Sequence, residues 1–174
     1  MKGFFAAAAF AVLITPSLVL AKGPTVKIVL MPELASPFEI SDPAVRQFNV
    51  WAGPGTSVNG VEGTEGFIID WGKGVVPAPM GLLQYKVSFY TACEGRACTT
   101  TEPSLVYVVY YKYSPSSHEG YVYLPGKGGE FAELNWATIY RGSQYEGHWF
   151  RSTAAWDEFV TRIISKATPA RGTR

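Results

Sequence analysis

Between Leu83 and Thr91 the chain alternates strictly. Leu83, Tyr85, Val87 and Phe89 are separated by Gln84, Lys86, Ser88 and Tyr90. Side chains on a strand point to opposite faces in turn, so this period predicts a strand with one buried and one wet face. A second run, Leu105 to Tyr113, is apolar at both parities, as expected of a central strand buried on both sides. The short stretch between them, with Cys93 and Cys98, reads as the connection of an antiparallel pair. These two runs fix the expected class, an α+β domain built mainly on an antiparallel sheet.

The rest of the chain adds to that frame. Val26 to Met31 is an apolar strand candidate ended by Pro32, and Pro37 to Ile40 is a short extended piece. Asp42 followed by Pro43 is a helix-start signal, since Asp caps free N–H groups and Pro suits the first helical position. After Phe48 to Trp51 comes a glycine-dense loop from Ala52 to Gly66, then strand character over Phe67 to Trp71, then a turn-rich connection from Gly72 to Gly81. Gly120 to Leu124 reads as a further strand, and Leu134 to Tyr140 fits either helix or strand. Trp156, Phe159, Val160, Ile163 and Ile164 recur at helical spacing, which predicts a C-terminal helix packed on the sheet. Ser152 or Thr153 can cap it, and Pro169 lies past its end.

The N-terminus carries a different kind of signal. Lys2 is the only charge before Lys22, an apolar core runs between them, and Val19-Leu20-Ala21 supplies the small-residue ending. This is the layout of a secretory signal peptide over residues 1–21, with a periplasmic or extracellular protein expected after cleavage. Residues 22–168 then form one globular domain, and 169–174 a flexible basic tail. No later stretch is apolar and long enough to span a bilayer. Residues 1–21 hold one of the 15 basic and none of the 14 acidic side chains, leaving 14 of each in the remainder. That neutral balance argues against nucleic acid as a partner, because phosphate binding needs a basic surface. In an oxidising compartment Cys93 and Cys98 read as a disulfide across a four-residue loop. A redox motif needs two intervening residues rather than four, and neither His118 nor His148 stands at metal-ligand spacing. No metal or cofactor is expected.

Catalytic motifs are missing: there is no Walker-type glycine loop, no Gly-x-Ser-x-Gly and no His-Glu-x-x-His. Gly53-Pro54-Gly55 reads as a tight turn after Trp51. What stands out is the aromatic content, with ten Tyr and five Trp. Tyr107, Tyr111 and Tyr113 fall on one strand face and Tyr110 on the other. Strand packing accounts for most of these rings, and any left exposed would offer a platform to a sugar or peptide. The residues chosen as ligand contacts are Trp51, Asp70, Trp71, Tyr111, Tyr113 and His148.

The segments Phe48-Asn-Val-Trp-Ala-Gly-Pro-Gly55, Glu65-Gly-Phe-Ile-Ile-Asp-Trp71 and Gly120-Tyr-Val-Tyr-Leu-Pro-Gly-Lys127 resemble a family of exported bacterial proteins with no assigned function. The similarity spans most of the chain from Val26 to the C-terminal helix. It implies bacterial origin and export, and it assigns no activity to any residue. The first expectation is therefore a non-catalytic domain that binds a glycan, a peptide or an envelope protein. Two others stand beside it: an extracytoplasmic hydrolase using carboxylates from Glu62, Glu65, Asp70 or Glu119, and an accessory subunit tethered by an uncleaved N-terminus.

Overall fold

The computed structural model describes residues 23–33, 36–58, 61–62, 67–93 and 101–167. The elements are β1 (Thr25–Pro32), β2 (Phe38–Ile40), β3 (Ser57–Val58), β4 (Val61–Glu62), β5 (Val75–Val76), β6 (Gln84–Thr91), β7 (Ser104–Ser114), β8 (Glu119–Tyr123), α1 (Ala132–Thr138), β9 (Trp149–Arg151) and α2 (Ala154–Ala167). Seven strands form one antiparallel sheet in the order β2-β1-β6-β7-β8-β9-β5, and β3 pairs with β4 apart from it. The mainly antiparallel architecture read from the sequence is the one observed. Among the described residues no helix is long and apolar enough to cross a membrane.

The alternation in β6 places Tyr85, Val87 and Phe89 in the core, while Gln84, Lys86 and Tyr90 are half-buried. Two details depart from the simple pattern. Leu83 lies before the strand and is 48% exposed, because pairing begins only at Gln84 opposite Lys112. Ser88, expected on the wet face, is buried. The ambiguous segment 134–140 supplies the reason. It is the body of α1, which lies against β7 beside Ser88's partner Val108. Asn135 of α1 accepts from the Val108 N–H at 2.9 Å and donates to the Val108 carbonyl at 2.7 Å. Pairing of β7 with β8 stops at Tyr110 opposite Tyr123, so this side-chain amide replaces the missing strand neighbour. Both backbone groups are otherwise orphaned in a buried place. Asn135→Ala is expected to cost about 2–6 kcal/mol, the sum of two unsatisfied buried groups, read as a lower urea midpoint with an unchanged slope.

The apolar run Phe67 to Ile69 is buried on every side, yet it makes one isolated bridge, Ile69 opposite Ser152, and no strand. The expected strand over Phe67 to Trp71 is thus corrected: three core-filling side chains give a strand-like composition without a ladder, and Trp71 to Lys73 turn into a short 3-10 segment. The true edge strand, β5, sits inside the segment read as turn-rich. At Asp42 the start signal holds, with its carboxylate accepting from the Ala44 N–H at 2.7 Å and Pro43 opening a 3-10 turn. Thr153 rather than Ser152 serves the N-terminus of α2, accepting from Trp156 N–H at 3.3 Å. The core lies on one face of the sheet, where Trp156 meets Phe48, Phe89 and Tyr111 at ring separations of 4.9, 6.1 and 5.8 Å.

Candidate functional site

Two polar constellations stand out, and they differ in kind. The first is centred on Arg141, which is 3% exposed. Its guanidinium donates to the carbonyls of Pro54 (3.0 Å) and Val50 (2.5 Å) and lies within 5.2–5.7 Å of the rings of Trp71, Phe67 and Tyr107. The Arg141 backbone N–H is held by Glu146 at 3.1 Å, and burial pushes the Glu146 carboxyl above its ordinary range. Gly53, at φ +110°, sits so close that an added Cβ would come 2.6 Å from the Trp71 indole nitrogen and 2.9 Å from the Arg141 guanidinium. No side chain fits there. Arg141 therefore clamps the 50–54 turn to the body of the protein, and the Gly53-Pro54-Gly55 turn closes around its guanidinium.

The second constellation lines an open cleft of about 420 Å³ at one end of the sheet. The hairpin between β7 and β8 contributes Tyr113, His118 and Glu119; β9 and the residue after it give Arg151 and Ser152; the first turns of α2 give Asp157, Glu158 and Thr161; Lys73 stands at the rim. Register sets the arrangement, since Tyr113 faces Gly120 and Tyr121 faces Arg151 across β8. Asp157 accepts from Tyr111 Oη at 2.8 Å, Ser152 Oγ at 2.5 Å and Gly120 N–H at 3.0 Å. An added Cβ at Gly120 would lie 2.1 Å from both the Asp157 and Ser152 oxygens, so only glycine lets the helix carboxylate reach this strand. Burial raises the Asp157 carboxyl above the usual carboxylate range, against the pull of its three donors. Glu119 is shifted the other way, lowered first by its bond to Arg151. Arg151 Nη1 lies 2.6 Å from Glu119 Oε2, and its guanidinium covers the Tyr121 ring at 4.4 Å. The Tyr113 hydroxyl sits 3.4 Å from His118 Nδ1.

Of the residues chosen from sequence, Tyr113 lines this cleft, and Asp70 reaches its rim through a 3.4 Å ion pair with Lys73. Tyr111 is fully buried and reaches the cleft from beneath, bonded to Asp157 and stacked on Tyr113 at a ring separation of 6.5 Å. Trp51 is buried, its indole N–H bonded to the Gly23 carbonyl at 3.0 Å. Trp71 belongs to the Arg141 cluster, and His148 is exposed beside β9, away from the cleft-lining residues. Asp157, Arg151 and Ser152 were not singled out for this role. The one sequence signal available was an acid on the apolar-facing side of the last helix, next to Trp156. Of the carboxylates considered for hydrolysis, Glu119 lines the cleft, Glu65 lies outside the described residues, and Glu62 sits in β4 of the separate ribbon. Among the described residues no cluster of His, Cys, Asp and Glu is arranged to hold a metal ion. Cys93 is not a free thiol, and Cys98 lies outside the described residues, as do the segments 1–21 and 169–174.

Together these features define a class: a mainly antiparallel β domain with a buried arginine clamp and a polar, mixed-charge cleft at the end of its sheet. No protein-family model matches the chain, and no curated protein or solved structure matches it either.

Proposed function

We propose that the protein is an exported, non-catalytic binding domain whose ligand enters the cleft between the β7–β8 hairpin and the start of α2. The observation that carries this reading is the pre-pairing of the cleft's charges. Glu119 is held by Arg151 and Asp157 by three donors, so both acids on the strand side of the cleft are positioned, while Glu158 stands exposed on the α2 wall. Such a wall orients a small polar ligand carrying charges of both signs, as a short peptide does: Arg151 and Lys73 face its carboxylate, Glu119 and Glu158 its ammonium. The same reading takes α2 as the helix covering the core face of the sheet, with Trp156 packed on Phe89 and Tyr111. It takes residues 1–21 as a cleaved export signal and Cys93–Cys98 as the disulfide of the β6–β7 connection.

The test is a thermal-shift screen of the purified protein against short peptides. Saturation at about a hundred times the dissociation constant adds about 2.7 kcal/mol, a midpoint rise of roughly 5–10 °C at this size. The rise is expected to vanish in Arg151→Ala. A flat screen, or a shift that Arg151→Ala leaves untouched, removes the cleft from consideration. Intact mass of exported protein checks the cleavage after Ala21, and alkylation before and after reduction checks the disulfide.

One observation favours a hydrolase instead. Asp157 and Glu119 share the cleft with their protonation equilibria pushed apart, as acid–base pairs require. That reading needs turnover of a peptide or glycan that both Asp157→Asn and Glu119→Gln abolish.

A further inference from the structure

On the face of the sheet opposite the core, four side chains stand directly across from one another on four consecutive strands. Lys86 is opposite Tyr110, Tyr110 opposite Tyr123, and Tyr123 opposite Trp149. Their neighbours one residue along, Tyr85, Tyr111, Val122 and Phe150, are all buried in the core, which places the row on the far side. The three aromatic rings remain partly exposed. Their centroids are 6.3 and 5.3 Å apart and adjacent rings tilt by only 36° and 41°, so they form a strip of ring faces more than a herringbone. This spacing is close to that of successive sugar rings along an extended chain.

Each end of the strip carries a cation. Lys86 continues the row beyond Tyr110, its ammonium 5.0 Å from the Phe131 ring, and the Lys112 ammonium lies 5.0 Å from the Trp149 ring. Neither lysine has a carboxylate within ion-pair distance among the described residues. Lys112 also donates to the Pro79 carbonyl at 3.2 Å, which brings the 77–83 crossover onto this face, with Met80 89% and Leu83 48% exposed. On the other border Glu130 accepts from the Tyr110 hydroxyl at 2.8 Å, leaving the second carboxylate oxygen for a ligand hydroxyl.

We infer that this strip is a binding site for an acidic polysaccharide, a chain of sugar rings bearing carboxylates. The apolar C–H faces of pyranose rings stack on Tyr110, Tyr123 and Trp149, and the two lysines, one toward each end of the strip, meet carboxylates of the chain. A peptide would need a row of pockets for alternate side chains, whereas the structure has one, of about 180 Å³, at the Lys86–Tyr110 end of the strip, and beyond it the rings present faces. Arg151, opposite Tyr121, lies one row along on the same face and marks where the strip meets the cleft, whereas the α2 wall of the cleft, with Asp157 and Glu158, lies on the core side.

Polygalacturonate is the probe, with neutral dextran, polyacrylate and a single-stranded oligonucleotide as comparisons, read by affinity electrophoresis. The expected result is retardation by polygalacturonate, weakened by salt as exposed charge pairs are, and little by the other three. Tyr123→Ala is expected to weaken binding about three- to tenfold, Tyr123→Phe to keep it, and Lys86→Gln with Lys112→Gln to remove most of the salt dependence. Glu158→Gln, exposed on the α2 wall of the cleft and on the core side of the sheet, is expected to leave it unchanged. The proposal is overturned if polygalacturonate does not retard the wild-type protein. Polyacrylate or the oligonucleotide acting equally well, or Tyr123→Ala binding undiminished while its circular dichroism matches wild type, overturns it as well.

Discussion

Arg141→Met is expected to remove about 3–5 kcal/mol of folding free energy, a large part of the roughly 5–15 kcal/mol a domain has. Methionine fills much of the arginine's volume, so the loss reports on the head group. Without the guanidinium, the Val50 carbonyl loses its donor in a buried place and the Pro54 carbonyl in a half-buried one, at up to about 1–3 kcal/mol each. Its stacking against Trp71, Phe67 and Tyr107 goes too, and Glu146 keeps a buried carboxyl with no cation near it. Arg141→Lys is expected to recover only part of this, because one ammonium on a flexible stem cannot reproduce a planar fork aimed at two carbonyls. Chemical denaturation measures both variants. An Arg141→Met protein within about 1 kcal/mol of wild type would show that the clamp does not hold the 50–54 turn, since surface-like substitutions stay near that range.

The contrast between this clamp and the signals that led to it shows what a sequence can carry. Gly53-Pro54-Gly55 announces a turn, and a turn is there. Nothing local announces that its carbonyl will be bound by Arg141, 87 residues away. Likewise β6 was legible because eight residues keep one period, so that a single exception such as Ser88 averages out, and β7 because its run is long and apolar at both parities. The spacing of Trp156, Phe159 and Val160 located α2 for the same reason. Strands β5 and β9 span two and three residues, too short for any period, and they exist only because neighbouring strands present open edges.

The cleft was less legible than the fold. Tyr113 and Glu119 came into view as members of a tyrosine-rich strand and a loop, but their meeting with Asp157 and Arg151 depends on register. A one-residue slip between β7 and β8 would take Gly120 away from Tyr113 and point a side chain at the Asp157 carboxylate. The tyrosines divide by the same rule. Parity along β7 separates Tyr107 and Tyr111, which are core, from Tyr110, which faces the other way. Composition alone counts them together.

That division has a large consequence at alkaline pH. Burial raises the phenols of Tyr107 and Tyr111 above the ordinary value near 10, and ionising Tyr111 would set a phenolate 2.8 Å from the Asp157 carboxylate. Tyr110, more exposed, is pushed up to about 12 by burial and then by Glu130. In each case the folded value exceeds the unfolded one. The stabilisation is therefore fully present below pH 10 and is lost as pH rises from there toward the folded value. While a phenol stays protonated only in the fold, it contributes about 1.4 kcal/mol of lost stability per pH unit. Tyr107 and Tyr111 together thus remove about 2.7 kcal/mol per unit, enough to exhaust a fold of ordinary stability within a few units. Phenolate absorbance is accordingly expected to show a cooperative step well above pH 10, in which Tyr107 and Tyr111 ionise together and near-UV circular dichroism is lost. Tyr111→Phe is expected to make that step shallower by about one proton. A single transition near pH 10, complete while the circular dichroism is still native, would mean that Tyr107 and Tyr111 are open to solvent and that the core does not close around β7.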